Sequence, residues 1–376
     1  MNIAVIFGGE SCEHDISIIT GEQLISKVNE YLYNIYPIYI DKNGDWLTGD
    51  ELKDIDNLKV GIKKAKKCAF FPNDKNLYIK KGSKYKKLTE IDVVFVCLHG
   101  LRGEDGCVAG VLELSKIPYS SSSLCASSVC MDKCVFKTFA FGLGLDVVPG
   151  FGMTENEYLQ MKEICVEKIK ELEFPIIIKP SRQGSSIGIE VCKNVSDLDE
   201  KLRNAFKYDK KLLIEKYLDI EKEVNVAVFE NKGEYILSST EEPVTQEEIL
   251  SFDNKYRKNS GGFETIKRIV PAKISDENEL KLKTTAVELY RSLEMFGIVR
   301  FDFILDKEGM LYLNEVNTIP GSMANYLFDK EKYGYTVLIE LMISNAIHRY
   351  SKMNEVERVF DTDVLQNDFD GFKKWW

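Results

Sequence analysis

The chain has 376 residues, of which 44% are hydrophobic and 29% are charged, and its formal net charge at pH 7 is −10. This length is too great for one typical hydrophobic core, so two or three domains are expected. The negative charge argues against a general nucleic-acid-binding protein, and no apolar run is long enough to cross a membrane. The N-terminus lacks the features of a secretory signal and the cysteines include no Cys-x-x-Cys pair, so we expect a reduced, cytoplasmic protein.

The first hundred residues have the pattern of a doubly wound α/β layer. Ile3–Phe7 is an apolar run ended by two glycines, and a helix and a second strand, Ile35–Ile40, follow it. In such a layer a ligand lies at the carboxyl ends of the strands. Glu13, on the loop after the first strand, is either solvated or positioned to hold an ammonium group. His99, at the end of the apolar run Ile91–Leu98, is either structural or a substrate contact.

Two stretches of the N-terminal half have the composition of irregular segments. Residues 43–90 are rich in lysine, which indicates either a basic patch for an anionic partner or a solvated insertion of short strands and turns. The insertion is the favoured interpretation. The Ser-rich stretch Tyr119–Lys133 reads as a linker that leads to a helix, with Ser128 or Asp132 as its N-cap.

A Gly- and Ser-rich loop, Pro180–Gly188, follows the predicted strand Phe174–Lys179. Its backbone N–H groups suit phosphate oxygens, and Lys179 can neutralise phosphate charge. The sequence contains neither a P-loop nor a dinucleotide-binding fingerprint. Further on, Glu215 ends an apolar run where a linker between lobes can present backbone groups to a base. Ser251–Gly262 is polar and ends in glycine, which is typical of a lid.

The segment from Arg300 to Gly321 predicts two strands joined by a turn, Ile298–Leu305 and Met310–Val316. If Leu305 pairs with Met310, Asp302 and Glu315 lie diagonally on one face.

In the same register, Arg300 lies opposite Glu315, which shares its face with Leu311 and Leu313, and Asn317 continues the polar row. Two carboxylates and an amide oxygen are suitable ligands for Mg²⁺. The alternative is a solvated polar face of a hairpin.

The assembled motifs resemble the D-alanine–D-alanine ligase family, a branch of the ATP-grasp enzymes. The resemblance runs from residue 2 to about residue 345, weakens over 43–90 and is absent from the C-terminal tail. The motifs that carry it, in chain order, are GGESCEHDIS, HGLRGEDG, CMDK, IIIKPSRQGSSIGI, EKYL, FDNKY, RFDF and NEVNTIPG.

The resemblance implies an α/β ATP-grasp fold in three lobes with a Rossmann-like N-terminal domain. The expected boundaries are 1–121 for the N-terminal domain, 122–215 for the central lobe, 216–350 for the C-terminal lobe with a lid at 240–270, and 351–376 for the tail.

The resemblance also implies roles for individual residues. The ATP-binding set is Lys133, Lys179, Ser186, Glu215, Lys216, Tyr217, Leu218 and Glu223. The implied ligands of two Mg²⁺ ions, with Mn²⁺ as a substitute, are Asp302, Glu315 and Asn317. The group that positions the first D-alanine is implied to be Glu13, Ser185 and Tyr256. Arg300 and the backbone N–H of Gly321 are implied to stabilise the oxyanion. The remaining substrate-binding residues are His99, Lys255, Tyr326 and Leu327.

The implied activity is ATP-dependent ligation of two D-alanines through an acyl phosphate, which supplies a precursor of peptidoglycan. The resemblance also suggests a homodimer with no nucleic-acid or membrane partner. The alternative is a ligase that joins D-alanine to D-serine or to another D-amino acid. It stays open because Ser322–Leu327 departs from the Phe/Met-Thr-x-x-Ser pattern of common family members, and Tyr326 occupies the position of a small serine.

Overall fold

Three β-sheets and a two-stranded ribbon organise the chain in the computed structural model, which describes residues 1–54, 56, 58–244 and 267–361. Within those residues, no helix combines the length and apolar character needed to span a bilayer.

The first sheet has seven strands in the order β6-β5-β4-β3-β2-β1-β7. Its strands are β1 Asn2–Gly8, β2 Asn34–Ile40, β3 Trp46–Thr48, β4 Lys66–Phe71, β5 Asp74–Lys81, β6 Lys84–Glu90 and β7 Val93–Val96. β1 pairs in parallel with β2 and β7, as predicted for a doubly wound layer. The helices of this region are α1 His14–Ile25, α2 Leu58–Lys64 and α3 Cys107–Leu114, with a 3-10 turn at Asp50–Lys53.

The lysine-rich segment, 43–90, is part of the first sheet, and not the solvated insertion of short strands and turns that the sequence predicted. Its strands β3 to β6 extend the first sheet as antiparallel neighbours, and β5 and β6 are eight and seven residues long. Leu47, Leu77 and Ile79 from this segment are buried in the core. The alternation of the strands turns these apolar residues inward while most of the lysines stay exposed.

The second sheet has four antiparallel strands in the order β10-β9-β11-β8. They are β8 Gly150–Thr154, β9 Ile176–Pro180, β10 Glu190–Cys192 and β11 Lys211–Lys216. The helices around it are α4 Leu124–Met131, α5 Lys133–Gly142, α6 Glu155–Gln160, α7 Lys162–Lys170 and α8 Leu198–Ala205, with a 3-10 turn at Val195–Asp197.

The Ser-rich linker prediction is partly wrong, because α4 lies inside that stretch and begins at the N-cap Ser123. The prediction of Asp132 as a cap agrees with the structure, since its carboxylate accepts from the backbone N–H groups of Cys134 and Val135 at the start of α5.

The third sheet is also antiparallel, in the order β13-β12-β16-β17. Its strands are β12 Ile220–Asn231, β13 Glu234–Leu237, β16 Val299–Asp306 and β17 Leu311–Asn317, and the ribbon consists of β14 Glu242–Pro243 and β15 Arg268–Ile269. The remaining helical segments are α9 Asp276–Ser292, the 3-10 segment Gly321–Leu327 and α10 Tyr335–Asn354.

The buried apolar side chains form three clusters. One belongs to the second sheet alone and draws only on residues between Met153 and Ile214. Another lies under the third sheet and includes α5 and α9. The largest joins the first sheet to Ile319–Phe328 and to the inner face of α10. The last helix therefore packs on the N-terminal sheet, and the segment that follows β17 is held between the first and third sheets.

Candidate active site

Two carboxylates face each other directly on the third sheet. Asp302 on β16 pairs with Glu315 on β17, and Arg300 pairs with Asn317. The predicted register was wrong, because Leu305 pairs with Leu311 and the pairing shifts by one residue at Asn314. This bulge places Glu315 on the opposite face from Leu313, whose side chain is buried in the core. The two carboxylates are therefore directly opposite each other, and not diagonal as predicted.

Asp302 is held by two neighbours on the same face. The Arg300 guanidinium donates to both of its oxygens at 2.7 and 2.8 Å, and the Asn317 amide donates to Oδ2 at 2.9 Å. Burial opposes the charge of Arg300, but Asp302 raises the pKa of Arg300 well above its ordinary value. A fixed cation thus lies beside the carboxylate pair.

The residues of this face fit a hard divalent cation. No cluster of three or more His, Cys, Asp or Glu side chains with metal-binding geometry occurs in the described part of the chain. Asp302, Glu315 and the amide oxygen of Asn317 supply two carboxylates and one neutral oxygen, which suits Mg²⁺ with phosphate and water as its other ligands.

Two lysines lie beside this face, one from α5 and one from β9. The ammonium of Lys133 lies 3.7 Å from Glu315 Oε2 and donates to the carbonyl of Gln183 at 2.7 Å. Lys179 lies 2.6 Å from Glu215 Oε2 and donates to Asn314 Oδ1 at 3.2 Å. Burial lowers the pKa of Lys179 to about 8; Glu315 opposes the shift and Lys133 adds to it. The face therefore combines acids and cations in the way that a metal–phosphate site requires.

The predicted hinge, residues 215–218, begins at the end of β11, an inner strand of the second sheet. The Glu215 carboxylate is buried between Lys137 and Lys179, while Lys216 is exposed and lies 3.9 Å from Glu173. The Tyr217 N–H donates to Pro175.

Two adjoining cavities lie in this region. Among the described residues, the hinge side chains, including that of Leu218, line neither cavity, whereas Ser186 and Glu223 line one of them.

The loop after β9 meets the loop after β1. The Ser185 hydroxyl donates to Glu13 Oε1. A side-chain carbon at Gly184 would lie 2.6 Å from Glu13 Oε2, so a larger residue there would displace the Glu13 carboxylate. Glu13 is buried, and the structure brings it together with Ser185, which the sequence separates by 172 positions.

His99 lies next to this contact. Its Nε2 is 2.8 Å from Thr20 Oγ1, and Thr20 also accepts from the backbone N–H of Ser322 at 3.3 Å. Burial lowers the pKa of His99 to about 4; the Ile319 backbone opposes the shift and the charge of Arg300 adds to it. A neutral imidazole therefore connects the first helix to the segment after β17.

That segment, Gly321–Leu327, contains three consecutive left-handed residues, Ser322, Met323 and Ala324, with φ of 52°, 50° and 47°. Gly321 and Tyr326 line the cavity, whereas the Leu327 side chain is buried in the core and its carbonyl accepts from Ser239. Only the backbone of Leu327 can therefore serve a ligand here.

Tyr326 is fixed by Arg268 of the ribbon and by Glu241, which directly precedes the ribbon. Arg268 stacks on its ring at 4.1 Å, and its hydroxyl lies 3.4 Å from Glu241 Oε2. Arg268 also lies 3.0 Å from Glu241. Lys255 and Tyr256, together with most of the predicted lid, lie outside the described residues.

The site is a pair of adjoining cavities of about 300 and 240 Å³. Both are lined by Lys133, Arg300, Glu315 and Tyr326. The first extends to Glu13, His99 and Gly321, and the second to Lys179, Ser186, Glu223 and Asp302.

Four residues of this region were not predicted from the sequence to belong to the site: Glu104, Lys137, Glu241 and Arg268. Burial and the charge of Glu13 raise the pKa of Glu104 to about 8, although the Gly100 N–H donates to it at 2.8 Å. Glu104 stands in the motif HGLRGEDG, which was a usable signal. Lys137 lies one helical turn after Lys133, and Glu241 and Arg268 fall inside the expected lid, 240–270, where only Lys255 and Tyr256 were assigned roles.

Known proteins match the chain along nearly its whole length. The family described as D-ala D-ala ligase N-terminus matches residues 2–122, and the family described as D-ala D-ala ligase C-terminus matches residues 139–344. The D-alanine--D-alanine ligase of Thermosipho melanesiensis is 35% identical over 372 residues, covering 97% of this chain and 98% of the relative.

Two solved structures share the fold. The crystal structure of D-alanine-D-alanine ligase from Helicobacter pylori is 29% identical with a TM-score of 0.73, and the match covers 92% of this chain and 98% of that one. The VanG D-Ala:D-Ser ligase from Enterococcus faecalis is 26% identical with a TM-score of 0.75, covering 93% and 99%. The fold and the site together define an ATP-grasp protein. Within that class, the chain belongs to the D-alanine–D-alanine ligase family.

Proposed function

We propose that this chain joins two D-alanine molecules at the expense of ATP and releases ADP and phosphate, providing a precursor of peptidoglycan. One observation carries the proposal: a continuous pair of cavities joins a lysine–carboxylate face to a buried acid, Glu13, that can hold an ammonium group. Ligation of an amino acid needs both parts of this site, because the lysine–carboxylate face activates the substrate carboxylate and the buried acid orients the substrate.

Different residues along the two cavities bind different parts of the substrates. Lys133, Lys179 and the Ser186 loop bind the phosphates, with Glu223 toward the ribose and the hinge at Glu215–Leu218 toward adenine. Glu13 with Ser185 holds the ammonium of the first D-alanine, and His99 lies beside it. ATP converts a poor acylating agent, the carboxylate, to an acyl phosphate, which the amine of the second amino acid attacks.

Arg300 acts at the tetrahedral stage. Its guanidinium is partly buried and is fixed by Asp302, so it stabilises developing negative charge without reorganising, together with the N–H of Gly321. Asp302, Glu315 and Asn317 would hold two Mg²⁺ ions. Ions held by these residues would neutralise charge on the transferring phosphoryl group.

D-Serine as the second substrate is the competing proposal, and the arrangement of Tyr326 bears on the choice between the two amino acids. Tyr326 lies in the cavity between Arg268 and Glu241 instead of leaving the open space of a small side chain. The VanG ligase, which its title describes as D-Ala:D-Ser, shares this fold. A smaller second pocket favours D-alanine over the larger D-serine.

The test is phosphate release by the purified protein with ATP, Mg²⁺ and D-alanine, with D-serine or D-lactate added in separate reactions and products identified by mass. We expect the D-Ala–D-Ala dipeptide alone. A mixed dipeptide formed in preference would replace the proposal with the D-serine activity. Absence of any dipeptide from folded, nucleotide-binding protein would contradict both.

We also propose a cytoplasmic homodimer. All nine cysteines lie within the described residues and are free, which is consistent with a reducing compartment. Sedimentation at several concentrations would test the assembly, and a monomer at micromolar concentration would contradict it.

A further inference from the structure

A cluster of three buried charges lies behind the lysine–carboxylate face. Glu215 on β11 stands between two lysines, Lys137 from α5 and Lys179 from β9. The Lys179 ammonium is 2.6 Å from Glu215 Oε2, and Lys137 contacts Oε1 and the Val148 carbonyl. The side chain of Glu215 is 2% exposed and each lysine is 11% exposed, so water does not screen these charges.

The two lysines differ in what lies in front of them. Lys179 lines the second cavity and also reaches Asn314 Oδ1, so it can turn toward a phosphate. Lys137 contributes to neither cavity within the described residues, and both of its contacts are internal. Any effect of Lys137 on a ligand must therefore pass through Glu215 and Lys179.

A phosphate in the second cavity and the Glu215 carboxylate compete for Lys179. If Lys179 turned to the phosphate and Glu215 had no other partner, a buried carboxylate would lose its counter-ion, which is strongly unfavourable. Burial and the charge of Lys179 lower the pKa of Lys137 to about 6. When Lys179 moves away from Glu215, the repulsion between the two lysines falls. The protonated form of Lys137 is then favoured, and it balances the charge of Glu215.

We propose that Lys137 is a positioning residue for ATP binding. When ATP binds, Lys137 serves as the counter-ion of Glu215, so that Lys179 is released to bind the phosphates. The proposal rests on the proposed use of ATP, but not on the identity of the amino acids that are joined. It assigns a role to a side chain one helical turn from Lys133, on the same helix and on its buried side.

The test compares the affinity for ADP with Mg²⁺ in single and double variants by titration calorimetry. In Lys137→Met, Lys179 stays bound to Glu215, so we expect affinity to fall about 10-fold or more. The double variant Lys137→Met/Glu215→Gln removes the carboxylate that retains Lys179, so it should recover most of the loss. A merely structural role of Lys137 would make the two substitutions additive.

Two controls keep the outcome interpretable. Lys281→Met removes a half-exposed lysine paired with Asp146 and should leave the affinity unchanged. If Lys137→Met does not fold, Lys137→Gln is neutral, can still donate a hydrogen bond, and should give the same loss and the same recovery. Affinity within twofold of the wild type in the single variant, or no recovery in the double variant, would overturn the proposal. Wild-type protein that binds ADP but forms no dipeptide would refute the proposed function and leave this inference testable.

Discussion

At the scale of single residues, Glu315 determines whether the polar face can hold a metal. It is directly opposite Asp302, and Asp302 already has Arg300 and Asn317 as partners. Glu315→Gln removes one of two carboxylates, so we expect turnover to fall on the order of 100-fold or more. Folding should be preserved, because the amide has nearly the same shape. Phosphate release and thermal unfolding measure the two effects.

The control lies in the same hairpin. Glu308 occupies the exposed turn between β16 and β17, so Glu308→Gln should change neither turnover nor unfolding. Near-normal turnover in the Glu315 variant would remove this residue from the metal-binding set.

The burial of His99 leads to a prediction about pH. Its pKa falls from an ordinary 6.5 to about 4, so the folded state favours the neutral ring. The stabilisation is present above pH 6.5 and is lost as pH falls toward 4, where the loss approaches about 3 kcal/mol at 1.36 kcal/mol per pKa unit. His99→Gln should therefore lose less free energy of unfolding between pH 7 and pH 4.5 than the wild type does.

Urea unfolding at the two pH values measures this difference. His348 is exposed on α10, so His348→Gln should retain the acid sensitivity of the wild type. An equal loss in the His99 variant and the wild type would contradict the prediction.

Residue types and their alternation predicted the polar face but not its pairing. Asp302, Glu315 and Asn317 were recognisable as hard ligands, yet the bulge at Asn314 decides which residue faces which. A bulge depends on the pairing of two strands and not on the periodicity of either one. The contact of Glu13 with Ser185 across 172 positions likewise follows from tertiary packing, which no local pattern encodes.

At the scale of elements, α5 positions Lys133 and Lys137, and one side chain fixes its start. The Asp132 carboxylate caps the helix, accepts from the Ser181 hydroxyl at 2.7 Å and binds Lys211 at 3.0 Å. The cap thereby ties the start of α5 to the loop after β9. Its position was predictable because Asp precedes an apolar helical run, whereas α4 was missed because its Ser-rich sequence resembles a linker.

Asp132→Ala should cost about 1–2 kcal/mol of stability and also raise the KM for ATP, since Lys133 follows the cap directly. Ser275→Ala is the matched control, because Ser275 caps α9 through the Asn278 N–H. That variant should lose comparable stability without a change in KM. Equal KM values in the two variants would mean that the cap does not position the lysine.

At the scale of the whole molecule, the three clusters differ in how they depend on the rest of the chain. The cluster of the second sheet is built from one continuous segment, whereas the largest cluster combines the first sheet with α10. The sequence predicted lobes but could not show that the final helix returns to the first sheet, because this depends on a contact across the chain. The second sheet is therefore the part most able to unfold separately.

Calorimetry of two core variants tests this organisation. Leu202 in α8 and Leu338 in α10 are both fully buried, so each Leu→Ala change should cost about 2–5 kcal/mol. Leu202→Ala should separate an early transition for the second sheet, while Leu338→Ala should lower the main transition. ADP with Mg²⁺ should raise the early transition, because Lys179 belongs to the second sheet and Asp302 to the third, and a ligand that bridges them stabilises both. The contrary result would be a single transition in Leu202→Ala, raised by the nucleotide no more than the transition of Leu338→Ala. That result would show that the second sheet does not unfold as a separate unit.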